Sequence, residues 1–124
     1  MAATAFQFSD PADQLQRALE GIWPTFAESI QRGVERIERS LKEGVYDGIL
    51  GPREQAYMAA HKLAGELGAF GFNQLGATAR KMERLLAPDE EIGLAEAQML
   101  EILVTHLRAG FVALNTEFAG RTIH

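Results

Sequence analysis

The sequence predicts an all-α protein, an antiparallel up-down four-helix bundle with a short extra helix at the N-terminal end. Three observations predict it. Apolar residues recur at steps of three and four along most of the 124-residue chain. Proline, glycine and a short acidic stretch punctuate those stripes. No apolar–polar alternation long enough for a strand occurs, and no convincing repeat or low-complexity tract. Amphipathic helices joined by short links bury their stripes only against one another, which gives a bundle.

The elements follow in order. Ser9-Asp10-Pro11 offers a cap followed by proline in the first turn. Leu15, Leu19 and Ile22 make the stripe of the short first helix. Trp23-Pro24 interrupts it, because proline removes a backbone donor and biases its predecessor away from helix. A longer helix begins there, burying Phe26, Ile30, Ile37 and Leu41, with Gln31, Arg32, Glu35, Glu38 and Arg39 mostly toward water. Gly44 to Gly51, with three glycines, is the expected connection. Pro52 opens a helix that runs to about Phe70. Gly71-Phe72-Asn73 is a tight link in which Asn73 is the expected N-cap. The next helix carries Leu75, Ala79, Met82 and Leu86 and stops at Pro88. After Asp89-Glu90-Glu91, a last long helix presents Leu100, Leu103, Leu107, Phe111, Leu114 and Phe118. His106 falls at the boundary of that stripe, and His124 ends the chain. Trp23 and the phenylalanines read as core or cap packing.

Size and composition narrow the function classes. Residues 1–124 fit one domain, large enough for a core without staples. There are no cysteines, so disulfides and thiolate metal sites are out. The net charge of −5 argues against nucleic acid as the main partner. The first ten residues lack the basic-then-apolar pattern of a secretory signal. Charges interrupt every apolar run before the roughly 18 residues a membrane span needs. The expectation is a cytoplasmic protein without membrane contact, and Met1 with no linker favours a free-standing chain. No Glu-x-x-His pair, His-Glu-x-x-His helix, phosphate-binding loop or kinase signature is present, so no metal site, cofactor or ATP-dependent activity is expected.

The informative stretch lies between Ala56 and Leu86. Ala56, Ala60, Leu63, Leu67 and Phe70 form its core stripe. At about 100° per residue, His61 points roughly 140° from the stripe's centre, hence outward. Gly65 and Gly68 follow it by four and seven residues and stack beside it, with Ala64 between. A glycine inside a helix costs about 1 kcal/mol relative to alanine. Two of them beside one exposed histidine leave bare backbone where a partner can approach the ring. Neutral imidazole is a nucleophile near neutral pH and forms covalent intermediates.

This stretch resembles the histidine-containing phosphotransfer (HPt) family of two-component relays. The family pattern is a histidine, glycine four residues later, small residues next and often glycine ten residues on. His61, Gly65, Gly68 and Gly71 stand at matching places, after Ala60. The resemblance implies that His61 accepts a phosphoryl group. It implies that Glu83, 22 residues on, accepts a hydrogen bond from His61 Nδ1 and leaves Nε2 free to attack. It further implies receiver domains of response regulators as partners, with a hybrid histidine kinase as another, and Mg²⁺ held by the receiver alone. One departure stands out. Where the family usually has lysine three residues after the histidine, this chain has Ala64. Lys62 and Arg80 are the candidates to supply that charge. Docking is expected to bury Ala64, Gly65 and Gly68.

Other readings remain beside this one. A surface histidine is most often simply solvated, and Glu83, Lys62 and Arg80 serve equally as solubilising charges. The missing lysine leaves room for an adaptor that binds receivers without accepting phosphate. A phosphodonor domain served by a separate kinase domain is the third reading.

Overall fold

The computed structural model describes residues 11–44, 50–89 and 91–122. The Ser9-Asp10 cap, the body of the Gly44–Gly51 connection and His124 lie outside them. Four helices account for the described chain: α1 (Pro11–Glu43), α2 (Leu50–Ala69), α3 (Asn73–Leu86) and α4 (Leu94–Thr122). Each packs against two others, α1 and α3 both on α2 and α4, closing a ring around one core.

The predicted stripes form that core. Ile30, Ile37, Leu63, Leu67, Met82, Leu86, Leu100 and Leu107 are fully buried. Each is worth about 1.5–3 kcal/mol relative to exposure. At one end, Trp23 stacks on Phe118 with ring centroids 4.5 Å apart, Phe26, Phe72 and Phe111 pack around the pair, and Phe70 packs on Phe26. Trp23 Nε1 donates to Asn115 Oδ1 at 2.9 Å, so the indole's polar edge is satisfied while its rings are buried.

This cluster explains the main correction to the sequence reading. Among the described residues there is no short separate N-terminal helix, because α1 runs through Pro24 unbroken. An interior proline costs about 3 kcal/mol through its lost bond and its clash one turn back. Burial of Trp23, Phe26 and Ala27 on either side of it outweighs that local preference. The stripe expected for the extra helix reaches the core only through half-buried Leu19, since Leu15 and Ile22 are 62% and 46% exposed.

The helix ends are set by local chemistry. Gly71 takes φ +82°, its N–H bonds to the Gly68 carbonyl at 3.1 Å, and Phe72 N–H bonds to Leu67 at 2.9 Å. These two bonds define a Schellman stop, which needs the left-handed residue that glycine supplies. Phe72, not Asn73, occupies the N-cap of α3, and no side chain caps that end. Phe72 is drawn there by the aromatic cluster. Helix α2 begins at Leu50, two residues before Pro52, which sits in its first turn. Ala87, extended before Pro88, closes α3, and the Arg53 guanidinium binds the carbonyls of Leu86 and Ala87. Glu96 Oε1 accepts from Gly93 N–H at 2.8 Å, the reciprocal half of a capping box at the start of α4.

Helix α4 departs from the expectation about apolar length. Its segment Leu94–Phe118 has mean hydropathy 1.2 and is long and apolar enough, by length and composition, to cross a membrane. Charged Glu101 and Arg108 interrupt it, and Leu100, Leu103, Val104, Leu107, Phe111 and Phe118 line the bundle core. His106 is exposed rather than at the core boundary.

Candidate functional site

The site lies along the contact between α2 and α3, whose backbones come close at Gly68 and Gly76. A Cβ added to Gly76 of α3 would lie 3.4 Å from the Gly68 nitrogen and 3.7 Å from the Ala64 carbonyl oxygen. Nothing larger than a methyl group separates the backbones here. Two helical turns further along each helix, on the same faces, stand His61 and Glu83. Their side chains meet: His61 Nδ1 is 2.9 Å from Glu83 Oε2 and 3.2 Å from Oε1. The small residues thus set the distance at which the histidine finds its carboxylate.

The two groups differ in exposure. The His61 side chain is 73% exposed and that of Glu83 only 17%. An ionised carboxylate only accepts, so its partner must donate from Nδ1. That tautomer leaves the lone pair on Nε2, the nitrogen away from the contact. A contact of this kind can fix ring direction and proton position while leaving the second ring nitrogen accessible.

Gly65 and Gly68 are exposed, and a Cβ added to either would meet nothing within 4 Å. The surface beside His61 is therefore open backbone. Lys62 and Arg80 are both exposed, Arg80 one turn before Glu83. Ala64 is placed differently from the expectation. It is 3% exposed, part of the core, and cannot belong to a docking face. The reason is periodicity: Ala60, Ala64 and Leu67 are spaced by four and three, so they share the buried side of α2. A lysine at 64 would have to thread outward between α2 and α3.

Several contacts near the site escaped the sequence reading. A groove of about 580 Å³ runs between α1 and α2 beside His61 and includes Arg32, Arg36 and Lys62 on its walls. Ser29 Oγ donates to Glu66 Oε2 at 2.8 Å within it. Gly33 brings the two helices together there, since a Cβ on it would sit 3.0 Å from Leu63. Gly76 was equally hidden, because a glycine inside a helix carries no mark of which neighbour it faces. Among the described residues, no group of three histidine or acidic side chains converges as a metal site would require.

The fold and geometry define a class: a helical bundle that offers, among the described residues, one carboxylate-paired imidazole on its surface, beside bare backbone. The family model described as Hpt domain matches residues 21–116, and the chain belongs to the Hpt domain family. Hpt domains are phosphocarriers rather than kinases, act in phosphotransfer within two-component systems, and interact with receiver domains and histidine kinases. No curated protein and no solved structure matches the chain.

Proposed function

We propose that this chain is the histidine phosphotransfer protein of a two-component phosphorelay, with His61 as phosphoacceptor. The observation that carries the reading is the 73% exposed imidazole whose Nδ1 lies 2.9 Å from Glu83. In the forward step, Nε2 attacks the phosphorus of a receiver's aspartyl phosphate. The P–O bond to the aspartate breaks, the N–P bond forms, and the receiver's carboxylate is released. Glu83 holds the Nδ1 proton and balances the positive charge that the ring acquires. Reversal delivers the group to another receiver. Mg²⁺, held by the receiver, supplies charge stabilisation at the phosphoryl oxygens. This chain contributes the nucleophile, its orientation and an open approach past Gly65 and Gly68.

Charge supports the reading. The chain is acidic overall, at −5, yet Lys62 beside His61 and Arg80 one turn before Glu83 are both exposed. A receiver's phosphorylated acidic pocket is complementary to that surface.

The reading includes an up-down antiparallel order and a single domain over 1–124, with the phosphotransfer motif at 56–86. The contacts favour this order. As α1 numbers rise from Trp23 to Glu38, their α4 partners fall from Asn115 to Arg108. As α2 numbers rise from Arg53 to His61, their α3-end partners fall from Leu86 to Glu83. A cytoplasmic location follows from the role, since receivers work there.

Incubation of the purified chain with an aspartyl-phosphorylated receiver separates the readings. Acid-labile, base-stable label on the wild type supports the relay. An unlabelled chain that still binds the receiver supports the adaptor, and label gained only from a kinase domain with ATP supports the phosphodonor.

A further inference from the structure

The family's usual lysine is missing, and Ala64, packed into the core, brings no charge in its place. The charge for a phosphoryl group on His61 must come from elsewhere. We infer that the groove between α1 and α2 seats the phosphoryl anion, with Arg32 and Arg36 of α1 as its cationic wall. The inference rests on His61 being the phosphoacceptor, and it adds two binding residues from a helix outside the phosphotransfer motif.

The register of the two helices places them. Ser29 bonds to Glu66 and Arg36 to Gln55, the latter through Nη1 at 3.0 Å. His61 lies between Gln55 and Glu66 along α2, so the α1 residues level with it lie between Ser29 and Arg36. Arg32 and Arg36 are one turn apart in that interval. Both line the same groove as His61 and Lys62, over buried Leu63, with exposed Met58 and the Ser29-bonded Glu66 carboxylate also on its walls. Because Nδ1 is turned to Glu83 on α3, the rest of the ring is left for the groove and for solvent.

Their present bonds are of a kind that yields to an anion. Arg32 pairs with Glu28 at 2.9 Å, but both side chains are about two-thirds exposed, at 67% and 68%. Such an i, i+4 surface pair is worth about 0.3–0.5 kcal/mol. Arg36 donates to a neutral amide at an exposed position. By contrast, Arg53 binds the end of α3 and Arg108 is doubly bonded to Glu38. A dianionic phosphoryl group beside the groove offers Arg32 and Arg36 a stronger, charge-assisted partner than either has now.

The test uses phosphoramidate, a small phosphodonor that needs no protein partner. Nε2 attacks phosphorus, the donor's P–N bond breaks, and ammonia leaves. Initial labelling of His61 is compared for wild type, Arg32→Ala, Arg36→Ala, the double variant and Arg39→Ala. Arg39 is an exposed arginine of α1 outside the groove and controls for net charge. The expected result is labelling slowed about two- to fivefold by each groove substitution, the range of an exposed ion pair. The double variant should be slower still, lysine replacements should restore most of the rate, and Arg39→Ala should match the wild type. Phosphorus NMR of the labelled proteins gives a second readout: the phosphoryl group of the double variant should take up its proton at a higher pH than that of the wild type. Labelled wild type with an unaltered double variant, or an equal fall in Arg39→Ala, overturns the groove assignment alone. Failure of wild-type His61 to be labelled overturns the phosphoacceptor reading and this inference with it.

Discussion

His61 Nδ1 stands 2.9 Å from Glu83 Oε2 across the α2–α3 contact, with the carboxylate largely covered and the ring largely bare. That asymmetry decides what each can do. In the proposed relay the covered group orients and the bare group reacts. Glu83→Ala removes the acceptor while leaving the ring exposed. Hydrogen bonds to charged groups are worth about 1.5–3 kcal/mol. Phosphotransfer by this variant should therefore fall about 10- to 100-fold, with Glu83→Gln in between. Nitrogen NMR should show wild-type His61 with its proton on Nδ1 and the alanine variant as a tautomer mixture. An unchanged tautomer in Glu83→Ala would contradict the orienting role.

The open backbone beside the histidine makes a paired prediction. Nothing lies within 4 Å of a Cβ added to Gly65 or Gly68, so alanine at Gly65 should raise stability by about 1 kcal/mol through helix propensity. Gly68→Gln should leave helicity nearly unchanged and slow transfer from a receiver, because a long side chain holds the partner away. Circular dichroism with denaturant melts checks the first part, and transfer kinetics the second.

Gly76 tests the helix spacing. An alanine there meets Gly68 and Ala64 at ordinary contact distance and should be tolerated. Gly76→Leu forces α3 away from α2, at a cost of about 1–3 kcal/mol. It should also lengthen the His61–Glu83 contact and slow transfer, so both losses should appear together in urea melts and transfer assays.

The Glu38–Arg108 pair makes a pH prediction. Arg108 donates to Glu38 from Nε at 2.6 Å and from Nη2 at 2.5 Å. Those bonds first, then the charges of Arg108 and Lys42, hold Glu38 below the ordinary value of 4.5, against the opposing effect of burial. A carboxyl depressed on folding adds stability above its unfolded value and loses it as pH falls through its folded one. Both side chains are partly exposed, at 30% and 40%, so the contribution is about 0.5–1 kcal/mol. Glu38→Gln should be less stable than wild type by that amount near neutral pH, and the gap should close below the carboxylate range. Urea melts across the acid range check this.

Much of this molecule was legible in the sequence, and the misses have physical causes. The stripes through Ile30, Leu63, Met82 and Leu107 were readable because burial follows helical period. The spacing of His61, Gly65, Gly68 and Glu83 carried the site's outline. Pro24 is a poor guide because local preference takes no account of the aromatic cluster around Trp23, whose members come from α1, the α2–α3 link and α4. Ala64 lies on the buried side that its spacing from Ala60 and Leu67 marks, not on the docking face expected for it. Arg32 and Arg36 were hidden for a deeper reason. Their place on the groove that His61 also lines depends on the register of α1 against α2, which no stripe specifies.

The central claim is that His61 carries the phosphoryl group. Its most direct measurement follows label from an aspartyl-phosphorylated receiver, with Mg²⁺, onto the wild-type chain and onto His61→Gln. The account predicts rapid, acid-labile labelling of the wild type and none of the variant, with both equally helical. Equal labelling of the two, or wild-type label mapping to another residue, would contradict it.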